Sequence, residues 1–166
     1  MVTLYNVISA DGYIARKDGS EDFIPDELWP ITLDTIRKFD VLVMGRKTYE
    51  TIQNYDKKSL EAFEKLSIKK VIVTHDKNFQ PKSGYIAVNT PEAAFHMSTN
   101  TLVSSGPTLN NYLLEKKLVD KIIFHQLPVS IKDGILPFDS EIKKSLALMS
   151  ETQIDQVKEL VYKWVD

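Results

Sequence analysis

The sequence contains no cysteine. This absence excludes disulfide bonds, metal sites built from thiolates and catalysis by a cysteine nucleophile. It also fits a reducing compartment, where disulfide bonds are rare. Candidate chemistry must therefore be sought in other side chains.

The sequence also lacks an excess of charge of one sign and any long apolar run. Its formal net charge is -2, with Lys and Arg interspersed among Asp and Glu, so no basic surface predicts binding to nucleic acid or to an anionic membrane. The N-terminal residues show neither a basic leader nor a cleavable apolar block, and no apolar run approaches membrane-spanning length. We predict a cytoplasmic protein that acts on a small molecule.

What the sequence does have is the composition of an ordinary globular domain. Apolar residues make up 43% and charged residues 27% of its 166 residues, which is too apolar for intrinsic disorder. A chain of this length buries most of the surface that its unfolded form exposes. No linker, low-complexity tract or internal repeat divides it, so we predict a single domain over residues 1–166.

Strand and helix patterns alternate along the chain. We expect one helix to begin at Pro30 and another to follow Thr90 as N-cap and Pro91 as first residue. The last two apolar runs, LALMSETQID and VKELVYKWV, are close enough to pair as an antiparallel hairpin. The predicted fold is α/β, with helices on both faces of a mainly parallel sheet and an antiparallel C-terminal edge. The other predicted strands are VTLYNVIS, DVLVMG, KKVIVTHD, YIAVN, NTLV and KIIFHQLPVS.

The stretch VLVMGRKTYE, residues 41–50, places a glycine and two basic residues where a predicted strand meets a predicted helix. In open α/β sheets, ligands bind beyond the carboxyl ends of the strands. Gly45 would let the backbone pass close to a ligand, Thr48 is a candidate helix cap, and Arg46 and Lys47 supply positive charge. This pattern is typical of phosphate binding. The alternative is that Arg46 and Lys47 are solvated residues beside an ordinary capped helix.

A second stretch, LVSSGPTL at residues 102–109, repeats the order of strand, glycine and helix. It adds the hydroxyl groups of Ser105 and Thr108 to backbone N–H groups, and Pro107 suits a first helical turn. Two such turns in one sheet favour a dinucleotide as the ligand. Neither the G-x-G-x-x-G fingerprint nor the Walker A motif occurs, so a different nucleotide-binding fold is required.

The order of five segments resembles the dihydrofolate reductase-like superfamily, and within it the reductase domain of riboflavin biosynthesis (the RibD C-terminal domain) with its stand-alone bacterial relatives. The segments are SADGYIA, VLVMGRKTYE, KKVIVT, SSGPTLNNYLL and LPVSIKDGILPF. The resemblance covers nearly the whole chain. It implies a three-layer dihydrofolate reductase-like fold, NADPH as cofactor, a homodimer, and reduction of a pterin-like or pyrimidine-like heterocycle.

The resemblance also implies which residues contact NADPH. Because a 2′-phosphate favours a fork of donors such as Arg46, we predict NADPH rather than NADH. The implied contacts are Gly45, Arg46, Lys47 and Thr48 for the 2′-phosphate and pyrophosphate, Thr74 and His75 for the adenosine side, Ser105, Gly106, Pro107, Thr108 and Leu109 for the pyrophosphate, and the backbone of Val7 and Ile14 for the nicotinamide amide.

The chain departs from the family pattern before the helix predicted at Pro107. Family members usually have two or three consecutive glycines there, whereas this chain has Ser104, Ser105 and Gly106. The side chain of Ser105 could donate to a phosphate, or it could crowd the pyrophosphate and weaken its binding. A nucleotide-binding protein that keeps the fold without catalysis is therefore the alternative to a reductase.

Hydride reduction needs a proton at the receiving atom, which an acidic side chain or an ordered water can supply. Asp26, Glu27 and Asp34 lie in the expected region. The segment IPDEL resembles the dihydrofolate reductase pattern in which Glu27 would occupy the acidic position that holds the pteridine. In the alternative interpretation, Pro30 starts the helix and leaves Glu27 in the preceding loop. Asp26 and Glu27 would then be solvated acids that favour a helix N-terminus.

Several other conspicuous residues favour structural roles. We expect His125, in an apolar strand, to be a hydrogen-bonded core residue, and no second ligand at suitable spacing supports a metal site. Phe23 and Trp29 could line a pocket for a flat heterocycle, although core packing is the commoner role of such aromatics. Asp11 belongs to a turn, and any contact of Ser9 or Asp11 with substrate is implied by the resemblance alone.

Overall fold

The computed structural model describes residues 1–165, which form eight strands and six helices. The strands are β1 (Val2–Ile8), β2 (Val41–Gly45), β3 (Lys69–Val73), β4 (Tyr85–Val88), β5 (Thr101–Val103), β6 (Lys121–Gln126), β7 (Leu146–Ile154) and β8 (Val157–Trp164). The helices are α1 (Leu28–Ile36), α2 (Arg46–Gln53), α3 (Lys57–Glu64), α4 (Pro91–Phe95), α5 (Pro107–Glu115) and α6 (Ser140–Lys143).

The described chain divides into two compact units, each built from two separate stretches of sequence. The first unit contains residues 1–2 and 26–105, and the second contains residues 3–25 and the chain from residue 106 onward. The prediction of one domain over residues 1–166 stays a prediction.

The first unit is a parallel sheet in the strand order β4-β3-β2-β5. β2 pairs with β3 through Gly45↔Val73 and with β5 through Val43↔Val103. With neighbours on both edges, residues 41–44 of β2 are at most 1% exposed. A strand buried in this way needs a continuous apolar run, which explains the sequence VLVM. The sheet therefore fixes Gly45 at the carboxyl end of a buried strand.

The helix α3 of the first unit is held by polar contacts at both ends. The Asp56 carboxylate caps its start by accepting from the Ser59 N–H at 3.0 Å. At its end the buried Lys70 ammonium donates to the Leu66 carbonyl at 2.9 Å, and burial lowers the pKa of Lys70. Phe63 between these ends is fully buried. Phe63 therefore makes α3 part of the core of the first unit.

The second unit combines parallel and antiparallel pairing. β1 runs parallel to β6, from Thr3↔Lys121 to Ile8↔Gln126. β8 pairs antiparallel with both β6 and β7, and β7 has a register shift between Leu148 and Ser150. The prediction of a mainly parallel sheet with an antiparallel C-terminal hairpin is confirmed.

A buried polar cluster crosses three strands of the second unit. The ring of His125 has no exposed surface and lies between two partners, with Nδ1 at 3.0 Å from the Tyr5 hydroxyl and Nε2 at 3.1 Å from the Glu159 carboxylate. Both ring nitrogens thus have hydrogen-bonding partners, as burial requires. The prediction of a hydrogen-bonded core histidine is confirmed.

Two helices differ from the sequence expectations, α1 in its first residue and α4 in its cap. α1 begins at Leu28, so the predicted start at Pro30 is wrong by two residues. Proline is tolerated throughout the first turn, because the N–H groups there have no partner within the helix. α4 begins at Pro91 after Thr90 as predicted, but the Thr90 side chain makes no capping hydrogen bond.

Candidate cofactor site

The junction of β2 and α2 has no connecting loop. β2 ends at Gly45 and α2 begins at Arg46, with Gly45 as the N-cap at φ -75 and ψ 163. No side chain caps this helix start. The first N–H groups of α2 and the positive end of its dipole therefore lie at the carboxyl end of a parallel strand, which is an arrangement that attracts anions.

Thr48 and Lys47 both lie in the first turn of α2. Thr48 is the third residue of α2, so the prediction that it caps the helix is wrong; Gly45 occupies that position because β2 and α2 adjoin directly. Lys47 is exposed on the first turn, where its charge is free to reorient in solvent. The contacts that the family resemblance implies for both residues stay predictions.

Ser105 contacts this junction directly. Its side chain is buried, and its hydroxyl oxygen accepts a hydrogen bond from the Gly45 N–H at 3.1 Å. A Cβ atom on Gly45 would lie only 2.9 Å from the same oxygen. The Gly45 N–H thus already donates to Ser105, so a phosphate at this end of the sheet would have to accept hydrogen bonds from N–H groups within α2.

Arg46 is held by three neighbours. Its Nε donates to the Glu50 carboxylate at 2.8 Å, its Nη1 donates to the Asp76 carboxylate at 3.0 Å, and its guanidinium carbon lies 4.7 Å from the centre of the Phe79 ring. The hydrogen bond to Glu50, followed by that to Asp76, raises the pKa of Arg46. Arg46, which was predicted to bind a phosphate, is therefore already paired with two carboxylates. The sequence did not indicate this pairing.

The residues after β3 form a turn beside Arg46. Thr74 is half-buried and its hydroxyl accepts from the Asp76 N–H at 3.2 Å, whereas the neighbouring His75 is exposed. Asp76 also helps to line a cavity of about 580 Å³ together with Thr74 and Phe79. The first unit therefore brings Gly45, Arg46 and Ser105 together with Asp76, a residue that sequence reasoning missed.

The other predicted cofactor residues lie in the second unit. α5 begins at Pro107 after Gly106 as N-cap, again without a side-chain cap. Thr108 is exposed and Leu109 is half-buried in its first turn. Their predicted contacts with a pyrophosphate stay predictions.

The two residues predicted to meet the nicotinamide belong to the same unit. Val7 lies in β1 opposite His125 of β6. The Ile14 N–H donates to the Ile135 carbonyl at 2.9 Å. A backbone contact from Ile14 to a nicotinamide amide would therefore have to come from its carbonyl oxygen.

The predicted acids lie at the start of α1. Asp26 and Glu27 are both exposed, and Glu27 is the N-cap of the helix without a side-chain capping bond. This placement agrees with the interpretation that Glu27 precedes the helix. A catalytic role for either acid stays a prediction.

Glu21 is an acid that the sequence analysis did not single out. Desolvation raises the pKa of its carboxyl group above the usual value. Neighbouring protein atoms partly shield this carboxyl group from water. The residue as a whole is exposed, so the group stays open to solvent. A carboxyl with a raised pKa is suited to donate a proton, and no local motif around Glu21 would have indicated this property.

The Asp11 carboxylate has a structural role in a turn. It accepts from the Ser9 hydroxyl at 2.6 Å and from the N–H groups of Ile131 at 3.2 Å and Lys132 at 2.8 Å. Lys132 has a positive φ of 69, which a non-glycine residue rarely adopts. Asp11 therefore holds a strained turn in place, and the hydrogen bond from Ser9, with those from the backbone, lowers its pKa.

We expect Asp11→Asn to lower the melting temperature at pH 7 and to flatten the loss of stability in acid. An amide offers one acceptor oxygen and would face one backbone N–H with its own donor. Because the folded pKa of Asp11 lies below the unfolded value of about 3.9, its contribution is present above that pH and is lost as pH falls through the folded pKa.

Melting temperatures between pH 7 and pH 3 would check this prediction. Glu141→Gln is the control, because Glu141 forms only an exposed pair with Lys144 at 2.8 Å. Parallel acid limbs for the wild type and Asp11→Asn would contradict the role of Asp11.

The aromatic residues considered for a heterocycle pocket have protein partners. The Trp29 indole N–H donates to the Ser59 carbonyl at 3.1 Å, and its ring lies 5.2 Å from that of Tyr55. Phe23 lies below the Arg16 guanidinium at 5.9 Å. Trp29 therefore joins α1 to α3, which is the packing role that we considered commoner.

The described residues contain neither a membrane-spanning helix nor a metal-binding cluster. No helix within residues 1–165 is long and apolar enough to cross a membrane. Across the same residues, no group of three or more His, Asp or Glu side chains is arranged to hold a metal ion. The homodimer implied by the family resemblance stays a prediction.

Together, the strand order, the antiparallel terminal hairpin and the glycine-capped α2 define a dihydrofolate reductase-like fold. The comparison with solved structures confirms it. One similar structure is a putative riboflavin biosynthesis protein from Shewanella sp. PV-4, with a TM-score of 0.72, 19% identity and 99% of each chain covered. Another is the dihydrofolate reductase of Enterococcus faecalis complexed with NADP(H) and RAB-propyl, with a TM-score of 0.72, 14% identity, and 100% of this chain and 97% of that one covered.

A third similar structure is a diaminohydroxyphosphoribosylaminopyrimidine deaminase/5-amino-6-(5-phosphoribosylamino)uracil reductase from Thermotoga maritima. Its TM-score is 0.73 at 12% identity, and the match covers 99% of this chain and 56% of that one. In sequence, the chain is 24% identical to the uncharacterized protein YwjB of Bacillus subtilis (strain 168) over 183 residues, covering 96% of this chain and 95% of that protein. No protein-family model matches the chain. At these identities the likeness establishes a shared fold.

Proposed function

We propose that this chain is an NADPH-dependent reductase that transfers a hydride to a pterin-like or pyrimidine-like heterocycle. The observation that carries the proposal is the start of α2, where a helix without a side-chain cap and with Arg46 as its first residue follows β2 directly. The fold supports it, because the Enterococcus faecalis enzyme was solved with NADP(H) and the Thermotoga maritima protein is a uracil-derivative reductase.

The residues present fit a dinucleotide through their donors. N–H groups in the first turn of α2 would bind phosphate oxygens, and the Arg46 guanidinium would bind the 2′-phosphate. Gly45 lacks a side chain that would block the close passage of the backbone. NADPH would supply the hydride, while the protein binds and orients the reactants.

The proton for the reduced heterocycle would come from an acid of the chain or from water that it orients. Glu27 and Asp26 are the acids that the family resemblance indicates. We propose that the substrate resembles 5-amino-6-(5-phosphoribosylamino)uracil or dihydrofolate, since proteins with this fold act on both ring types.

We expect NADPH to raise the melting temperature of the protein more than NADH does. A ligand that binds only the folded state at 100 times its Kd stabilises that state by about 2.7 kcal/mol. Arg46→Ala should weaken NADPH binding more than NADH binding, because only NADPH loses a charge-assisted contact to its 2′-phosphate. Thermal denaturation with increasing cofactor measures both effects.

The matched control is Arg37→Ala. Arg37 forms an exposed pair with Asp34 at 3.1 Å and follows α1, so its loss should leave cofactor binding unchanged. Absence of stabilisation by either cofactor would overturn the proposal.

The alternative is a nucleotide-binding protein without catalysis. The exposure of both Asp26 and Glu27 favours it, because an exposed carboxylate lacks the burial that favours the protonated, proton-donating form. NADPH binding without oxidation in the presence of dihydropterins, dihydrofolate and aminouracil derivatives would support this alternative over the reductase.

A further inference from the structure

The Arg46 cluster, which we define as Arg46, Glu50, Asp76 and Phe79, carries more negative than positive charge. One guanidinium is paired with two carboxylates at 2.8 and 3.0 Å, which leaves one formal negative charge on the group. The Phe79 ring covers one face of the guanidinium at 4.7 Å. An incoming 2′-phosphate would therefore meet an arginine whose charge is already balanced.

Asp76 is fixed more firmly than Glu50. Its N–H donates to the Thr74 hydroxyl at 3.2 Å, and its Oδ1 accepts from the Asn78 N–H at 2.9 Å, so the turn after β3 orients the carboxylate. Its second oxygen, Oδ2, contacts Arg46 at 3.0 Å. Glu50 lies one turn along α2 from Arg46 and, like Asp76, forms a half-exposed pair with it. Glu50 lies nearer to the guanidinium, but Asp76 is the carboxylate that hydrogen bonds of its own turn hold in place.

A ligand can reach Asp76 from the cavity beside it. Asp76 and Phe79 line the cavity of about 580 Å³ that extends along the turn to Lys82 and Tyr85. The side chain of Asp76 is 45% exposed, so solvent or a ribose group can reach it. A carboxylate accepts a hydrogen bond from a ribose 2′-hydroxyl and repels a 2′-phosphate.

We propose that Asp76 sets the selectivity of the cofactor site by favouring a 2′-hydroxyl over a 2′-phosphate and by holding Arg46 away from the phosphate. The proposal rests on the proposed function, since it needs an adenosine 2′ group beside Arg46. The wild-type protein thus prefers NADPH by a smaller margin than an unpaired arginine would give. Asp76 is a specificity-determining residue of the site.

The test uses the two adenosine fragments 2′,5′-ADP and 5′-AMP, which differ only in the 2′-phosphate. Their Kd values are measured by calorimetry at low ionic strength, where screening is weak. We expect Asp76→Asn to raise the affinity ratio of 2′,5′-ADP to 5′-AMP about tenfold, because one opposing charge is removed near the phosphate. Asparagine keeps an oxygen acceptor for the Asn78 N–H, so the turn should persist.

Asp22→Asn is the matched control. Asp22 pairs with Arg16, and the Arg16 guanidinium lies over the Phe23 ring, so this cluster has the same three residue types outside the Arg46 cluster. Its substitution removes the same charge from the protein and should leave the affinity ratio unchanged. A rise of the ratio in Asp22→Asn equal to that in Asp76→Asn would overturn the proposal.

Glu50→Gln is the second variant, and we expect it to raise the ratio less than Asp76→Asn does. An unchanged or lower ratio in Asp76→Asn, or a larger rise in Glu50→Gln, would overturn the role of Asp76 while leaving the proposed function intact. If the wild type binds neither fragment and neither NADPH nor NADH stabilises it, the proposed function fails and the inference falls with it.

Discussion

Gly134→Ala is expected to destabilise the folded protein by about 3 kcal/mol or more. A Cβ atom at this position would lie 2.3 Å from the Ala15 carbonyl oxygen and 3.1 Å from the Cβ of Tyr13. The same Ala15 oxygen accepts from the Ile135 N–H at 2.8 Å, so the two segments cannot separate without losing that bond. The contact is with backbone, which has no alternative rotamer to adopt.

Thermal denaturation would measure this effect as a fall in melting temperature of roughly 10 °C. Gly106→Ala is the matched control, because a Cβ at Gly106 meets nothing within 4 Å and its φ of -84 suits alanine. We expect the control to change stability by less than about 1 kcal/mol. Equal shifts in both variants would show that the approach of Ala15 does not decide the stability.

The strands were predictable because the side-chain pattern of a buried strand is local. VLVM in β2 is apolar throughout, since its side chains are buried on both faces of the sheet, and the short gap before VKELVYKW signals a hairpin. The start of α1 was not predictable, because a proline such as Pro30 is tolerated at every position of the first helical turn. Sequence patterns therefore located the elements better than their ends.

The candidate site was predictable only in its local part. The positions of Gly45 and Arg46 follow from the junction of a strand and a helix. Ser105 lies 60 residues from Gly45 in the sequence, and Asp76 lies 30 residues from Arg46. Only the pairing of β2 with β5 and with β3 brings these residues close together. Nothing in the sequence THDKN indicates that Asp76 faces an arginine. Partners of this kind depend on the tertiary fold.

The contact between Gly45 and Ser105 yields a second prediction with a large expected effect. Gly45 has φ -75, which alanine adopts without strain, so Gly45→Ala tests the side-chain contact alone. The new Cβ would lie 2.9 Å from the Ser105 oxygen. Relief of this contact requires the Ser105 hydroxyl to turn away from the Gly45 N–H, and the loss of an acceptor for a part-buried N–H costs about 1–3 kcal/mol.

A displaced hydroxyl would also shift the start of α2, so we expect Gly45→Ala to weaken NADPH binding at least about tenfold if the proposed function holds. Ser105→Ala separates the two effects, because it removes the oxygen that the new Cβ would meet. In that background, Gly45→Ala should cost at least about 1 kcal/mol less stability than in the wild type. Chemical denaturation of the four proteins measures this coupling. Equal costs in both backgrounds would contradict it, because the penalty would then arise from the backbone of Gly45 and not from the contact with Ser105.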